Sequence, residues 1–366
     1  MTAPTSPVTL NPLLGLPEIR EGDNIAGLLL KALQQNGIRL EDGDILVISS
    51  KIVSKAMGLT VLAAQREEVV LSQTVRVVAE RMTPSGVTRI VESAAGPVMA
   101  AAGVDASNTG PNGADAATVL ILPDDPDAVA ASIRRSLETG WANLLGTPVV
   151  VGVVLSDTAG RPWRLGQVDF ALGADGLHVI EDLRGEADAD GRVLAVTERC
   201  VADEIAAAAD LVKNKATGVP AAHIRGLGQF VVDATSMPER EPISGARSLV
   251  RTARDDWFAY GTQEAVRAAL GAEPGSAEAT SVGIRSMNTE TVADKASRAL
   301  RVALLACPDV SGHMDGETIG LVAADAFTLG VAAARAQVAL RGEGLSSTVS
   351  HTVELTGQSL ALIVFR

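Results

Sequence analysis

An α/β fold in two domains is what this sequence predicts, on three observations. Apolar strand-like runs alternate with helical stripes through the first 235 or so residues, the pattern of packed α/β layers. Hydrophobic residues make up 47% of the chain and aromatics only 2%, so Ala, Val and Leu fill a core of closely packed helices and strands. At 366 residues the chain exceeds a typical domain of about 100 to 250 residues. The Pro/Gly/charge-rich stretch DATSMPEREPISG, Asp233 to Gly245, reads as a linker. The expected domains are therefore residues 1–245 and a smaller, helix-rich α/β domain over 246–366.

The chain opens with a Gly/Pro-punctuated entry, PLLGLPEIREG, over residues 12–22. Apolar residues at Ile25, Leu28, Leu29, Ala32 and Leu33 then form a helical stripe, with Asp23 placed to cap it. DGDILVIS reads as a turn into a strand, which sets Ser50, Lys51, Ser54 and Lys55 of SKIVSKAMG at the strand's end. Lysines and hydroxyls there can hold phosphate oxygens, although a Lys pair at a helix start is more often solvated surface. Residues 71–83 are expected to be helical, and RIVESAAGPVMAAAGVDASN holds strand-like pieces ending in Gly103, Asp105, Ser107 and Asn108. VLILP reads as a buried strand. DDPDAVAASIRRSLETG reads as a helix whose Asp124, Asp125 and Asp127 suit capping of its N-terminus better than metal binding.

The polar chemistry concentrates in SDTAGRPWRLG, Ser156 to Gly166, directly after the apolar run PVVVGVVL. That run reads as a buried strand delivering Asp157 and Thr158 into a loop that carries Arg161, Trp163 and Arg164. A carboxylate and a hydroxyl can share a divalent metal, and guanidinium groups clamp phosphate or carboxylate. Turn chemistry is the competing account of Asp157. Asp169 follows closely enough to be an accessory acid. VADEIAAAADLVKNKA reads as a helix whose basic end, Lys213, Asn214 and Lys215, complements the helix dipole, and AAHIRG as the next strand. Beyond the linker, helix-like stretches around 255–270, 290–305 and 317–341 precede a strand pair in SSTVSHTVELTGQSLALIVFR.

Several function classes are excluded. A net charge of -13 with no basic block argues against nucleic acid. Cys200 and Cys307 form no CxxC pair, and the four histidines, His178, His223, His313 and His351, lack metal-ligand spacing. The N-terminus has no basic, apolar leader, and no apolar run reaches the ~18 residues of a membrane span, so a cytoplasmic chain without a membrane partner is expected. Asp157 to Gly160 spells DxxG and Asn214 to Thr217 spells NKAT. The GxxxxGK[ST] cradle of a P-loop GTPase is nevertheless absent, and so is the GxGxxG dinucleotide fingerprint.

The ordered series LPEIREGDN, GDILVISSKIVSKAMG, AAGVDASN, LILPDDPDA, SDTAGRPWRLG, VTERCVADEIAAAADLVK and IRGLG resembles the coenzyme F-420-0:L-glutamate ligase family, across roughly residues 10–230. The resemblance implies a mixed-sheet α/β fold, a homodimer, GTP as co-substrate and a divalent metal, Mg or Mn, in two sites. It implies nucleotide contacts at Leu16, Pro17, Glu18, Ile19, Ser50, Lys55 and Asn108, and metal ligands at Asp105, Asp157 and Thr158. The family also uses the loop at Lys213 to Pro220, with Lys213 and Lys215, for nucleotide and second-metal contacts. The implied reaction adds L-glutamate to a deazaflavin coenzyme precursor through an acyl phosphate, releasing GDP and phosphate. Arg161, Arg164 and Lys55 are candidates for the phosphoryl charge or a substrate carboxylate, beside Asp157. A non-catalytic metal and nucleotide sensor is the alternative. In the C-terminal part DDWFAYGTQEAV resembles the junction to a nitroreductase-like domain in actinobacterial relatives. RAALGAEPGSAEATS stands where the flavin-phosphate segment belongs, so FMN is not expected.

Overall fold

In the computed structural model, residues 7–83, 86–107, 117–213, 216, 218–232, 245–251, 256–283, 286–287, 290–355 and 358–366 are described. The chain divides into two compact units, one of residues 1–73 and 93–251, the other of 74–92 and 252–366. The stretch Thr74–Glu92 thus groups with the C-terminal residues, whereas the sequence reading places it in the first domain.

The first unit is built on a five-stranded sheet of β1 (Thr9–Pro12), β2 (Ile45–Ser49), β3 (Gly152–Arg161), β4 (Arg164–Asp175) and β5 (Ala221–Arg225). Their order is β1-β5-β2-β3-β4. Only β2 and β3 run parallel; the other pairs are antiparallel, so the sheet is mixed. Helices α1 (Ile25–Gln35), α2 (Ser50–Ala56), α3 (Pro126–Leu145) and α4 (Val201–Asp210) accompany it. Side chains alternate across a strand, and the two faces have different partners. Leu46, Ile48, Val153 and Leu155 pack with Leu29 and Leu33 of α1 and Leu137 of α3. Ile45, Val47 and Val154 pack on the other face with Ile205 and Ala209 of α4.

Local signals explain the helix boundaries. Asn24, not Asp23, caps α1, accepting from the Gly27 amide at 3.0 Å. Asp23 instead accepts from the Arg20 amide at 2.7 Å. Asp125 caps α3 through the Ala128 amide at 3.0 Å, with Pro126 in the first turn and Gly146 closing the helix at φ 72°. Asp127 accepts from the amides of Ala174, Ala246 and Arg247. Capping and backbone anchoring therefore account for Asp125 and Asp127.

Two expected helices are corrected. Residues 71–83 contain the end of the helix Arg66–Ser72 and then the strand Thr74–Thr83, which lies beside the strand Gly86–Ser93. The buried charged pair Glu80 and Arg89, 2.5 Å apart, interrupts the apolar alternation and hides the strand. Residues 317–341 split into a strand, Thr318–Ala323, and a helix that starts after the Asp325 cap. The β-branched run TIGLVA favours the strand.

The second unit contains α5 (Thr262–Ala269), α6 (Val292–Leu304), β6 (Ser311–Asp315), β7 (Thr318–Ala323), α7 (Ala326–Gly342), β8 (Ser347–Leu355) and β9 (Gln358–Phe365). Its antiparallel sheet has the order β6-β7-β9-β8. Ala299 and Val302 of α6 and Ala332, Ala336 and Leu340 of α7 pack with Ile319, Leu321 and Ile363. Alanines on both helices let them approach closely. No helix among the described residues is long and apolar enough to cross a membrane.

Candidate functional site

Strand β2 stops at Ser49, directly beside Ser156 of β3, and α2 begins at the next residue. Beyond Ser156, β3 runs on with β4 as its hairpin partner and its β2 side unpaired by β2. The expected loop at SDTAGRPWRLG is therefore corrected to a hairpin. Asp157 and Thr158 lie within β3, and the turn falls at Pro162 and Trp163. Trp163 takes a left-handed φ of 60°, uncommon for a residue with a Cβ.

Strand alternation decides what each polar residue meets. Asp157 follows Leu155 on the face of α1 and α3, and Phe170 opposite it packs with Ala95, Met99 and Leu122. Ser156 and Thr158 belong to the α4 face. There the Thr158 Oγ1 donates to Asp169 Oδ1 at 2.6 Å, and Ser156 Oγ donates to Asp169 Oδ2 at 2.9 Å. Lys213 Nζ, from the turn after α4, donates to Asp169 Oδ2 at 2.6 Å and to Ser156 Oγ at 2.5 Å. Asp169 and Lys213 are both buried. Burial alone would raise the Asp169 carboxyl, but the charge and hydrogen bond of Lys213, with those of Thr158 and Ser156, hold it below its ordinary value. Lys213 is thus no solvated complement to a helix dipole.

The start of α2 gathers a second group. Lys51 Nζ donates to Ser107 Oγ at 2.6 Å and Ser107 O at 2.7 Å, and pairs with Asp105 Oδ2 at 2.7 Å. Asp105 is fixed by two backbone hydrogen bonds with Leu120. Burial raises its carboxyl, and the Lys51 and Ser107 hydrogen bonds overcome that and lower it. One turn on, Lys55 pairs with Glu18. The entry segment is held there by Ile19, buried in the core, by Leu16 packed against that core, and by the Gly22 amide bonding Ala56 O at 2.9 Å. Ser50 is buried at the head of α2. The structure thus joins Glu18 with Lys55, and Lys51 with Asp105, around one short helix. Pro17 lies in the same entry segment.

Arg161 and Arg164 face each other at the hairpin end and are exposed. Four residues of strand, roughly 13 Å at ~3.3 Å each, separate Arg161 from Asp157. Asn108, Asn214 and Lys215 lie outside the described residues. The pairing of Lys51 with Asp105 and the clamping role of Asp169 escaped the sequence reading. A turn at Pro162 and Trp163 alone would set Gln167 opposite Thr158; the register shift between Gly160 and Arg161 brings Asp169 there instead, and no sequence signal marks it.

Asp105, Asp157 and Thr158 are hard oxygen donors, the chemistry that Mg and Mn prefer. Among the described residues no three His, Cys, Asp or Glu side chains form a metal-holding group. Each is a donor of the kind Mg takes, but Asp157 and Thr158 lie on opposite faces of β3 and do not meet on one ion. Cys200 offers no nucleophile, since burial pushes its thiol up to about 12. A groove of about 470 Å³ opens between the end of α2, at Met57 and Leu59, and the first turns of α3, at Asp124, Asp125, Ala128 and Val129. Its two aspartates repel phosphate, so the lysines of α2 are the better phosphate neighbours.

The chain matches the family described as F420-0:Gamma-glutamyl ligase over residues 14–226. It is 41% identical over 231 residues to the coenzyme F420:L-glutamate ligase of Methanothermobacter thermautotrophicus, covering 58% of this chain and 86% of that protein. It is 36% identical over 264 residues to the coenzyme F420:L-glutamate ligase of Methanopyrus kandleri, covering 66% and 93% respectively. The corresponding ligase of Halobacterium salinarum is 37% identical over 232 residues, 58% of this chain and 84% of that protein. The matched span of the family ends before residue 246.

Proposed function

The chain belongs to the F420-0:Gamma-glutamyl ligase family, and from that premise we propose that it joins L-glutamate to the deazaflavin precursor F420-0, consuming GTP. A carboxylate does not acylate an amine at neutral pH. An oxygen of the precursor's terminal carboxylate therefore attacks the γ-phosphorus of GTP, the bond to the β-phosphate oxygen breaks, and GDP leaves. The α-amine of glutamate attacks the resulting acyl phosphate, loses a proton, and expels phosphate as the amide forms.

The observation that carries this reading is the gathering of Lys51, Lys55, Glu18 and Asp105 around α2, whose first residue follows the strand end that lies beside Ser156. Lys51 and Lys55 sit where ammonium groups can offset phosphate charge. The entry segment Leu16 to Ile19, with Ser50, frames the nucleotide beside them. Asp105, Asp157 and Thr158 would serve two Mg or Mn ions, Asp157 and Thr158 on different ones because they face opposite sides of β3, and the ions would supply charge neutralisation on the phosphates and alignment of attacking and leaving oxygens. Arg161 and Arg164, at the hairpin end, suit a distal carboxylate or phosphate of an extended substrate rather than the transferred phosphoryl group. A homodimer, as the family resemblance implies, is part of this proposal.

The test is mass spectrometry of F420-0 incubated with the chain, GTP, glutamate and Mg or Mn. Product heavier by one glutamate residue, with GDP formed in step, is the expected result. GTP binding without that product would leave the sensor reading in its place.

A further inference from the structure

The groove of about 470 Å³ at the end of α2 has the size of a small-molecule site. Its walls are apolar: Met57 and Leu59 beyond α2, Pro123 from the segment before α3, and Val129 and Ile133 from α3 itself. Met57 is 48% exposed there, and a thioether packs well against an aromatic ring. Two carboxylates line the same groove. Asp125 is committed, since it accepts from the Ala128 amide as the cap of α3. Asp124 is exposed. Arg247 donates to its main-chain oxygen at 3.5 Å, and its carboxylate has no partner among the described residues.

The groove lies in line with the lysines of α2. Met57 follows Lys51 by six residues, a rise of about 9 Å at 1.5 Å per residue. Lys51 pairs with Asp105, and the Asp105 backbone bonds that of Leu120. Asp124 stands four residues beyond Leu120, at most roughly 14 Å of chain. Both spans match the reach of a nucleoside triphosphate from its terminal phosphate to its base. We propose that this groove takes the guanine base of GTP and that the Asp124 carboxylate reads it, accepting from N1–H and the 2-amino group together. This rests on the GTP-dependent ligase reading above and deepens it by assigning the choice of base. An ionised carboxylate only accepts, through two oxygens, so two adjacent N–H donors are its complement. Adenine sets one donor beside a bare ring nitrogen, whose lone pair a carboxylate repels. The deazaflavin ring sets a single N–H between two carbonyl oxygens, and L-glutamate has no ring to cover the apolar walls. Of the three substrates, GTP alone has a part that suits both the walls and the charge.

The experiment follows glutamate addition to F420-0 by mass spectrometry with GTP, inosine triphosphate, xanthosine triphosphate or ATP. It compares the full-length wild type with Asp124→Asn and Asp125→Asn. Inosine triphosphate lacks the 2-amino donor, so the wild type should show a KM for it about tenfold or more above that for GTP, as expected for one hydrogen bond to a charged group. Asp124→Asn should raise the KM for GTP by a similar factor and gain use of xanthosine triphosphate. Its amide offers an acceptor for N1–H and a donor for the 2-carbonyl of xanthine. A merely structural role for Asp124 predicts no such gain. Asp125→Asn keeps a capping side chain and should keep the preference for GTP over xanthosine triphosphate. Three results would each overturn the inference: Asp124→Asn that gains no use of xanthosine triphosphate, Asp125→Asn that gains it instead, or a wild type that uses inosine triphosphate or ATP as readily as GTP. Glutamate addition by the wild type with GTP keeps the ligase reading in all three. A wild type that adds glutamate with none of the four triphosphates overturns both.

Discussion

Glu343 sits just past the end of α7 in the second unit, 3% exposed, between two buried guanidinium groups. Its carboxylate accepts from Arg267 Nε at 3.0 Å and Nη2 at 2.5 Å, and from Arg298 Nε at 3.1 Å and Nη2 at 2.7 Å. It thereby ties α5 and α6 to the end of α7. Glu343→Gln keeps the volume but removes the charge and places amide hydrogens against donors. Arg298 would keep Glu290, and Arg267 would keep the more distant Glu264, 3.9 Å away. Breaking a buried pair by deleting one partner costs about 3–5 kcal/mol. In a unit of roughly 130 residues that corresponds to a melting temperature lower by about 10–20 °C. Calorimetry of the full chain measures the shift, and hydrogen exchange assigns it. Peptides from α6 and α7 should lose protection while those from α1 and α3 keep it. The pH dependence has a definite sign. Burial pushes the Glu343 carboxyl up, but the Arg298 and Arg267 contacts outweigh it and hold it below its ordinary 4.5. Its contribution is therefore complete above about pH 4.5 and is lost as pH falls through the folded value; the glutamine variant lacks that slope. A variant with wild-type melting temperature and protection would refute the assignment of this carboxylate as the compensating charge.

Asp157→Asn should leave the melting temperature within about 2 °C of the wild type and lower the glutamate-addition rate about a hundredfold or more, read by mass spectrometry; full activity would remove Asp157 from the site. Gly173→Ala places a methyl group against the Pro126 carbonyl at the head of α3, and chemical denaturation should show a loss of about 1–3 kcal/mol. Asp44 is held down to about 2; burial raises it, but Arg225 and His223 hydrogen bonds lower it further. The first unit should then lose about 2 kcal/mol as pH falls from near 4 toward 2, and Asp44→Asn should abolish that part of the acid dependence.

The alternation of ILVIS, GVVL and AAHIR with Ala/Leu-rich helical segments made the α/β class legible, because period 2 and period 3.6 report burial directly. The caps of α3 were legible for the same local reason, since Asp125 and Pro126 act within one turn of where they stand. Thr74–Thr83 was not legible. Its buried Glu80 is met by Arg89 from the next strand, a partner that no window on one segment contains.

For the candidate site, the residue types around Ser156 were visible in sequence, and the family match over residues 14–226 confirms the lineage that the motif order implies. What sequence could not supply was direction. Asp157 and Thr158 are neighbours in the chain yet belong to opposite faces of the sheet, because SDTAGR continues a strand instead of leaving it. Lys213, which reads as a surface charge at a helix end, is drawn inward because Asp169 lies buried beneath it, 44 residues earlier in the chain. The sequence by itself determined the α/β class, the family and the chemical inventory, which depend on local pattern, but not the strands at Thr74–Thr83, Thr318–Ala323 and beyond Ser156. The tertiary structure decided which charges meet, because a buried charge is stable only beside its partner, and pairing across strands and helices chooses that partner.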